Sequence, residues 1–207
     1  MNTSNKTIVT LAMVVCGCLL PACGPTDGRI EAKRKFEAEL ADRQQRQAQS
    51  LTEYRLAAQA YEDDDLKSAR EHATAALDAS DRNAEAWMLM GLIEYKEDRV
   101  FDAASCFHRA SFLVPDRFEP PYNIGILLES AGRYKQAIES YQAALKLSPN
   151  QLEVMENLAR CYIRSNTDLD HAKELIDRAL LTEQRPQWRL WLLDQSHRLA
   201  TRKEASP

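Results

Sequence analysis

Catalysis needs acids, bases, nucleophiles or metal ligands gathered into one place, so the histidines, cysteines and clustered carboxylates of this chain are the residues to test first. The four histidines, His72, His108, His171 and His197, lie far apart, with no HExxH pairing and no glycine-rich phosphate loop elsewhere. Beyond the first 23 residues only Cys106 and Cys161 remain of the five cysteines. Neither has the closely spaced partner a zinc site requires, and both read as small buried hydrophobes. Cys161 has no base beside it in sequence to make it a nucleophile. Asp63-Asp64-Asp65 gathers three carboxylates but lacks the glycine and downstream spacing of a calcium loop, so it reads as a solvated turn. This inventory predicts no enzyme, no metal, no cofactor and no small-molecule substrate.

Of 207 residues, 44% are hydrophobic, enough to bury a core, and Gly and Pro are sparse at six and eight. Val, Ile and aromatic residues never alternate as a strand would require, so the chain reads as all-α. The net charge of −4 gives no basic face of the kind that nucleic acid would need.

The first 23 residues differ from the rest. A polar start with Lys6 leads into the apolar stretch from Ile8 to Leu20, too short to span a bilayer and suited to the h-region of an export signal. Leu20-Pro21-Ala22-Cys23 then resembles a bacterial lipobox, which implies that Cys23 is lipidated and becomes the mature N-terminus. Pro21 departs from the small or β-branched residue usual there. Cys18, behind Gly17 and Val15, is a second acceptor, and an ordinary cleaved signal or an uncleaved anchor are the remaining readings. Gly24 is not the Asp that marks inner-membrane retention in some bacteria, which tilts the expectation towards a lipoprotein on the periplasmic face of an outer membrane. Residues 24–49 are polar and glutamine-rich, with Ile30, Phe36 and Leu40 too sparse for a core-facing stripe. They form either an exposed helix or a tether.

The elements that position everything else are set by a repeat. Ala69, Ala103 and Ala137 recur every 34 residues, as do Ala76, Ala110 and Ala144, and Gly91 with Gly125, and Pro115 with Pro149. Small residues mark close helix approaches, and Trp87, Phe107, Tyr134 and Tyr141 fill the space beside them. These residues resemble the tetratricopeptide repeat, most fully in Asn123-Ile124-Gly125, Gly132-Arg133-Tyr134, Ala137, Tyr141, Ala144 and Pro149. The resemblance implies a right-handed superhelical solenoid of antiparallel helix pairs, with repeats at 50–83, 84–117, 118–151 and 152–186. The fourth needs one extra residue between Asn166 and Asp170 to stay in phase. Residues 187–203, with Trp188, Trp191 and Leu192 or Leu193, form a capping helix.

In this family the first helix of each repeat lines a concave groove. The resemblance implies that Asn123 and Asn157, at the same place in successive first helices, hydrogen-bond the backbone of a bound peptide; a merely structural asparagine is the alternative. Around them the same faces present Tyr54, Ala58 and Tyr61, then Met88, Leu92 and Tyr95, then Tyr122 and Ile126, and in the fourth repeat Glu156, Arg160 and Arg164. The cationic clamp that some members use to hold a C-terminal carboxylate is missing, since Met88, Leu92, Tyr122 and Ile126 stand where its cations would be. The expected ligand is therefore an apolar or amphipathic segment. The layout is similar to envelope lipoproteins of pilus biogenesis and outer-membrane assembly, which implies a membrane-anchored scaffold for a protein or peptide partner. The alternative is a self-associating module whose groove is filled by its own chain, through residues 30–49 or a second copy.

Overall fold

A computed structural model describes residues 27–204, the side chains from Gly28 to Thr201; Cys23 and the rest of the leader lie outside them. Among the described residues there are nine helices and no strand: α1 Asp27–Glu62, α2 Leu66–Ala79, α3 Ala84–Lys96, α4 Val100–Leu113, α5 Glu119–Ser130, α6 Tyr134–Leu147, α7 Leu152–Ser165, α8 Leu169–Leu180 and α9 Pro186–Glu204. The chain divides into two units, Met1–Asp42 and Arg43–Pro207. In the first, the described residues are the start of α1, whose side chains from Gly28 to Gln49 are all exposed. The second unit holds the repeats.

From α2 to α9 each helix packs on the next. The end of α1 joins the stack through Ala57, which shares a buried cluster with Ala69 and Ala73 of α2. Ser50, 1% exposed, locks that junction: its hydroxyl donates to the Ala76 carbonyl at 2.7 Å and accepts from Asn83 Nδ2 at 2.9 Å. Asn83 also caps α3, its side chain accepting from the Ala86 N–H.

The turn inside each pair is the most regular feature. Asp64, Asp98, Gly132 and Asn166 all take the left-handed conformation, at φ of 61°, 60°, 71° and 53°. They stand one repeat apart. Glycine adopts this backbone freely, and Asp and Asn are the L-residues that tolerate it best, which is why the position carries only these types. In the fourth repeat a second left-handed residue, Asp168 at φ 41°, follows Asn166, and α8 begins one residue later in phase than α2, α4 and α6. The extra residue expected near Asn166 is absorbed there, and Asp168 caps α8 by accepting from the His171 N–H.

Close packing across a pair is reciprocal. A Cβ on Gly91 would lie 2.5 Å from a ring carbon of Phe107, and one on Gly125 would lie 2.5 Å from a ring carbon of Tyr141. At the equivalent places the first repeat has Ala57 with Ala73 and the fourth, allowing for its extra residue, Ala159 with Ile176, all fully buried. The first helix supplies a methyl only where the second helix lacks an aromatic ring. Leu192 is the residue of α9 sunk into the last core, with Trp191 packed against that core, while Leu193 is exposed.

Candidate functional site

The first helices of successive pairs, α1, α3, α5 and α7, line two depressions. The first, about 360 Å³, has an apolar floor of Tyr54, Met88, Leu89, Leu92, Phe118 and Tyr122. Glu85, Glu119 and Glu153, one repeat apart in the first turns of α3, α5 and α7, line the same depression. Arg117 lies between the first two, donating from Nη1 to Glu85 at 2.8 Å and from Nη2 to Glu119 at 2.7 Å. Those bonds hold the Glu119 carboxyl below the usual carboxylate range. Burial and the nearby charge of Glu153 push the Tyr122 phenol up.

The second depression, about 460 Å³, is more polar, and Tyr95, Ile126, Tyr134, Asn157, Arg160 and Arg164 are among its walls. A hydrogen-bonded chain of side chains runs beneath it. Asn157 donates to the Tyr122 hydroxyl at 3.2 Å and accepts from Arg160 Nη2 at 2.9 Å. Arg160 grips Glu129 with two bonds, and Tyr141 donates its hydroxyl proton to Glu129 at 3.0 Å. Burial works to raise the Glu129 pKa, but the bonds and charge of Arg160 prevail and leave it lowered. Tyr141, buried against that carboxylate, is pushed well above the phenol range.

Arg160 continues into a third depression of about 350 Å³, with Gln187, Trp188 and Trp191. The Trp188 ring carries the guanidinium of Arg160 at 5.9 Å and that of Arg185 at 5.4 Å, and meets Trp191 edge-on. Arg185 Nη2 donates to both Glu156 at 2.8 Å and Glu183 at 2.5 Å, two carboxyls 2% and 3% exposed. Burial and the neighbouring Glu183 raise Glu156 to about 7, against the pull of Arg185, while Arg185 holds Glu183 well down. Glu156 Oε1 has no hydrogen-bond partner among the described residues.

Of the groove residues expected from the sequence, Tyr54, Met88, Leu92, Tyr122 and Asn123 line the first depression, and Tyr95, Ile126, Asn157 and Arg160 the second. Tyr61 lines neither: it packs on the first core cluster, and Lys96 Nζ sits 4.3 Å over its ring. Glu156 is a correction, because it faces inward to Arg185 and not into the groove. The two asparagines also differ. Asn157 is 9% exposed and engaged on both sides, whereas the Asn123 amide makes no hydrogen bond among the described residues. Phe118 and the three groove-edge glutamates went unremarked in the sequence, although the glutamates share the repeat interval. Burial raises Cys106 to about 11 and Cys161 to about 12, so both thiols are protonated and inert at neutral pH. No group of three or more His, Cys, Asp or Glu able to hold a metal ion occurs among the described residues.

Comparisons with known proteins agree with this geometry. Residues 128–190 match the family model described as Tetratricopeptide repeat. Superkiller protein 3 of Schizosaccharomyces pombe is 32% identical over 108 residues, covering 52% of this chain and 8% of its own length. Anaphase-promoting complex subunit 7 of Homo sapiens is 30% identical over 88 residues, covering 42% of this chain and 16% of its own. The chain thus spans a small part of these relatives. Among solved structures, Pseudomonas aeruginosa pilF superposes with a TM-score of 0.65 at 20% identity, covering 84% of this chain and 85% of that one. YrrB, described as a TPR protein with an unusual peptide-binding site, superposes at 0.60 with 18% identity, covering 72% and 74%. At such identities the likeness bears on the fold, and with the left-handed turns and the glycine–aromatic pairs it supports one conclusion: the chain folds as a right-handed solenoid of tetratricopeptide repeats.

Proposed function

We propose that this chain is a protein-interaction scaffold whose groove holds a segment of a partner protein, and that it works tethered by a lipid on Cys23 at the periplasmic face of the outer membrane during assembly of an envelope machine such as a pilus. One observation carries the scaffold reading. Tyr54, Met88 and Tyr122 stand at the same place in three successive first helices, half-buried, on the floor of an open depression. Apolar and aromatic side chains held at the surface by a rigid frame are what a protein partner buries. The lipobox-like Leu20-Pro21-Ala22-Cys23 and the export-signal pattern before it support the anchored form. Among the described residues no acid–base–nucleophile set opens into the first two depressions, which favours binding over turnover.

The test is a photo-reactive residue at Tyr122 in the full chain, in cells, followed by mass spectrometry of the trapped species and of the N-terminal peptide. A foreign envelope protein crosslinked at Tyr122, with acyl mass on Cys23, is the expected result. Trapping of this chain alone favours the self-associating module, and an unmodified Cys23 removes the anchor.

A further inference from the structure

Resting on the groove reading above, we propose that the occupant of the first depression is an apolar segment of another protein that carries lysine or arginine along one flank, turned towards the N-terminal ends of α3, α5 and α7. The floor there is apolar, but one side of the depression repeats a single charge. Glu85, Glu119 and Glu153 recur with the period of the fold and line the same space as Met88 and Tyr122. Arg117 brings one positive charge to the first two, so that side keeps a negative excess. Glu153 is exposed and has no ion pair among the described residues.

Acids in a first helical turn suit the helix dipole, and Asp102 of α4 and Asp170 of α8 follow that preference while α2 and α6 have none there; what sets Glu85, Glu119 and Glu153 apart is that all three line one depression. At the C-terminal ends of α5 and α7, which line the second depression, Arg160 neutralises Glu129 and the balance left is positive. There Arg164 is exposed and stacked on the Tyr134 ring at 5.9 Å, without an acid at ion-pair distance among the described residues. A segment with cations on its first flank and none on its second satisfies both sides, whereas an acidic first flank would meet like charge in a partly desolvated cleft. Between the sides, the open amide of Asn123 offers a donor and an acceptor to a main chain.

Two fluorescein-labelled peptides of roughly twelve residues, one alternating Leu with Lys and one alternating Leu with Glu, are titrated with the full chain and followed by anisotropy at low and high salt. The expected result is binding of the Lys peptide at least about tenfold tighter than the Glu peptide, weakening as salt rises. Glu153→Lys is expected to weaken the Lys peptide about fivefold, and Asp78→Lys, on the outer face of α2, by less than about twofold. Equal binding of the two peptides, or equal effects of the two reversals, overturns the basic-flank assignment. Met88→Glu separates this from the groove itself. If it abolishes binding of two peptides that bind alike, the groove stands and only the charge assignment is lost; if the peptides bind regardless of it, the groove reading falls too. Absence of binding by either peptide overturns the proposal, and circular dichroism of each variant excludes unfolding as the cause.

Discussion

Arg160 holds Glu129 through two parallel hydrogen bonds, Nε to Oε1 at 2.6 Å and Nη2 to Oε2 at 3.0 Å, so that a carboxylate of α5 is neutralised by a cation of the following repeat. The Glu129 side chain is 10% exposed. Breaking such a pair from one side leaves a charge without its partner, which costs more than the pair contributes.

Arg160→Met is therefore expected to lower unfolding free energy by about 2–3 kcal/mol, and Arg160→Met with Glu129→Gln by clearly less than the sum of the two single changes. Urea denaturation of the four proteins reads the coupling. Additive losses would mean that the two side chains do not act as a pair.

Gly125→Ala places a methyl 2.5 Å from the buried ring of Tyr141 and is expected to cost about 1–3 kcal/mol. Adding Tyr141→Ile, which copies the Ala159 and Ile176 arrangement of the fourth repeat, should recover part of that loss. A thermal melt in which the double variant is less stable than both single ones would refute the reciprocal packing.

Gly132 sits at φ 71°, where Asp64, Asp98 and Asn166 stand in the other repeats. Gly132→Asn is expected to be nearly neutral and Gly132→Val to cost about 1–2 kcal/mol. Equal effects in urea would show that the backbone conformation is not what limits the position.

Glu156 provides a pH test. Its folded pKa, raised to about 7 by burial and by Glu183, exceeds the roughly 4.3 of an unfolded glutamate, so the folded state binds the extra proton. The stability this supplies is complete below about pH 4.3 and is lost as pH rises through about 7. Glu183, held low by Arg185, contributes in the opposite sense, above the unfolded value and lost towards strong acid. Glu156→Gln should therefore flatten the decline in melting temperature between about pH 5 and pH 8. An unchanged decline would place the titrating group elsewhere.

The asparagines separate folding from binding. Asn157→Ala removes bonds to Tyr122 and Arg160 and is expected to cost about 1 kcal/mol of stability. Asn123→Ala is expected to leave the urea midpoint unchanged while reducing the crosslink yield at Tyr122. The reverse pattern would exchange their roles.

The repeat was legible because it rests on residues with local duties: alanines and glycines at close approaches, prolines after second helices, and Asp, Gly or Asn at a left-handed turn. Even the added residue of the fourth repeat could be placed between Asn166 and Asp170 from phase alone. The floor of the first depression was legible for the same reason, since Tyr54, Met88 and Tyr122 share one phase. That phase misleads at Glu156. Its equivalents face the groove, but in the last repeat the segment before α9 brings Arg185 and Glu183 onto it, and no period announces a partner that occurs once. The bonds between Arg160 and Glu129 span two helices whose contact is set by packing, so neither residue type advertises the other.

The pairing of Gly91 with Phe107 and of Gly125 with Tyr141 also sets how this chain can be rearranged. A first helix moved alone into another repeat would carry Ala159 against Phe107, or leave Gly91 facing Ile176 across a gap. Whole hairpins can be duplicated, deleted or exchanged with their internal fit intact, and lone helices cannot. The hairpin is the smallest piece of this protein that can be inherited or engineered as a module.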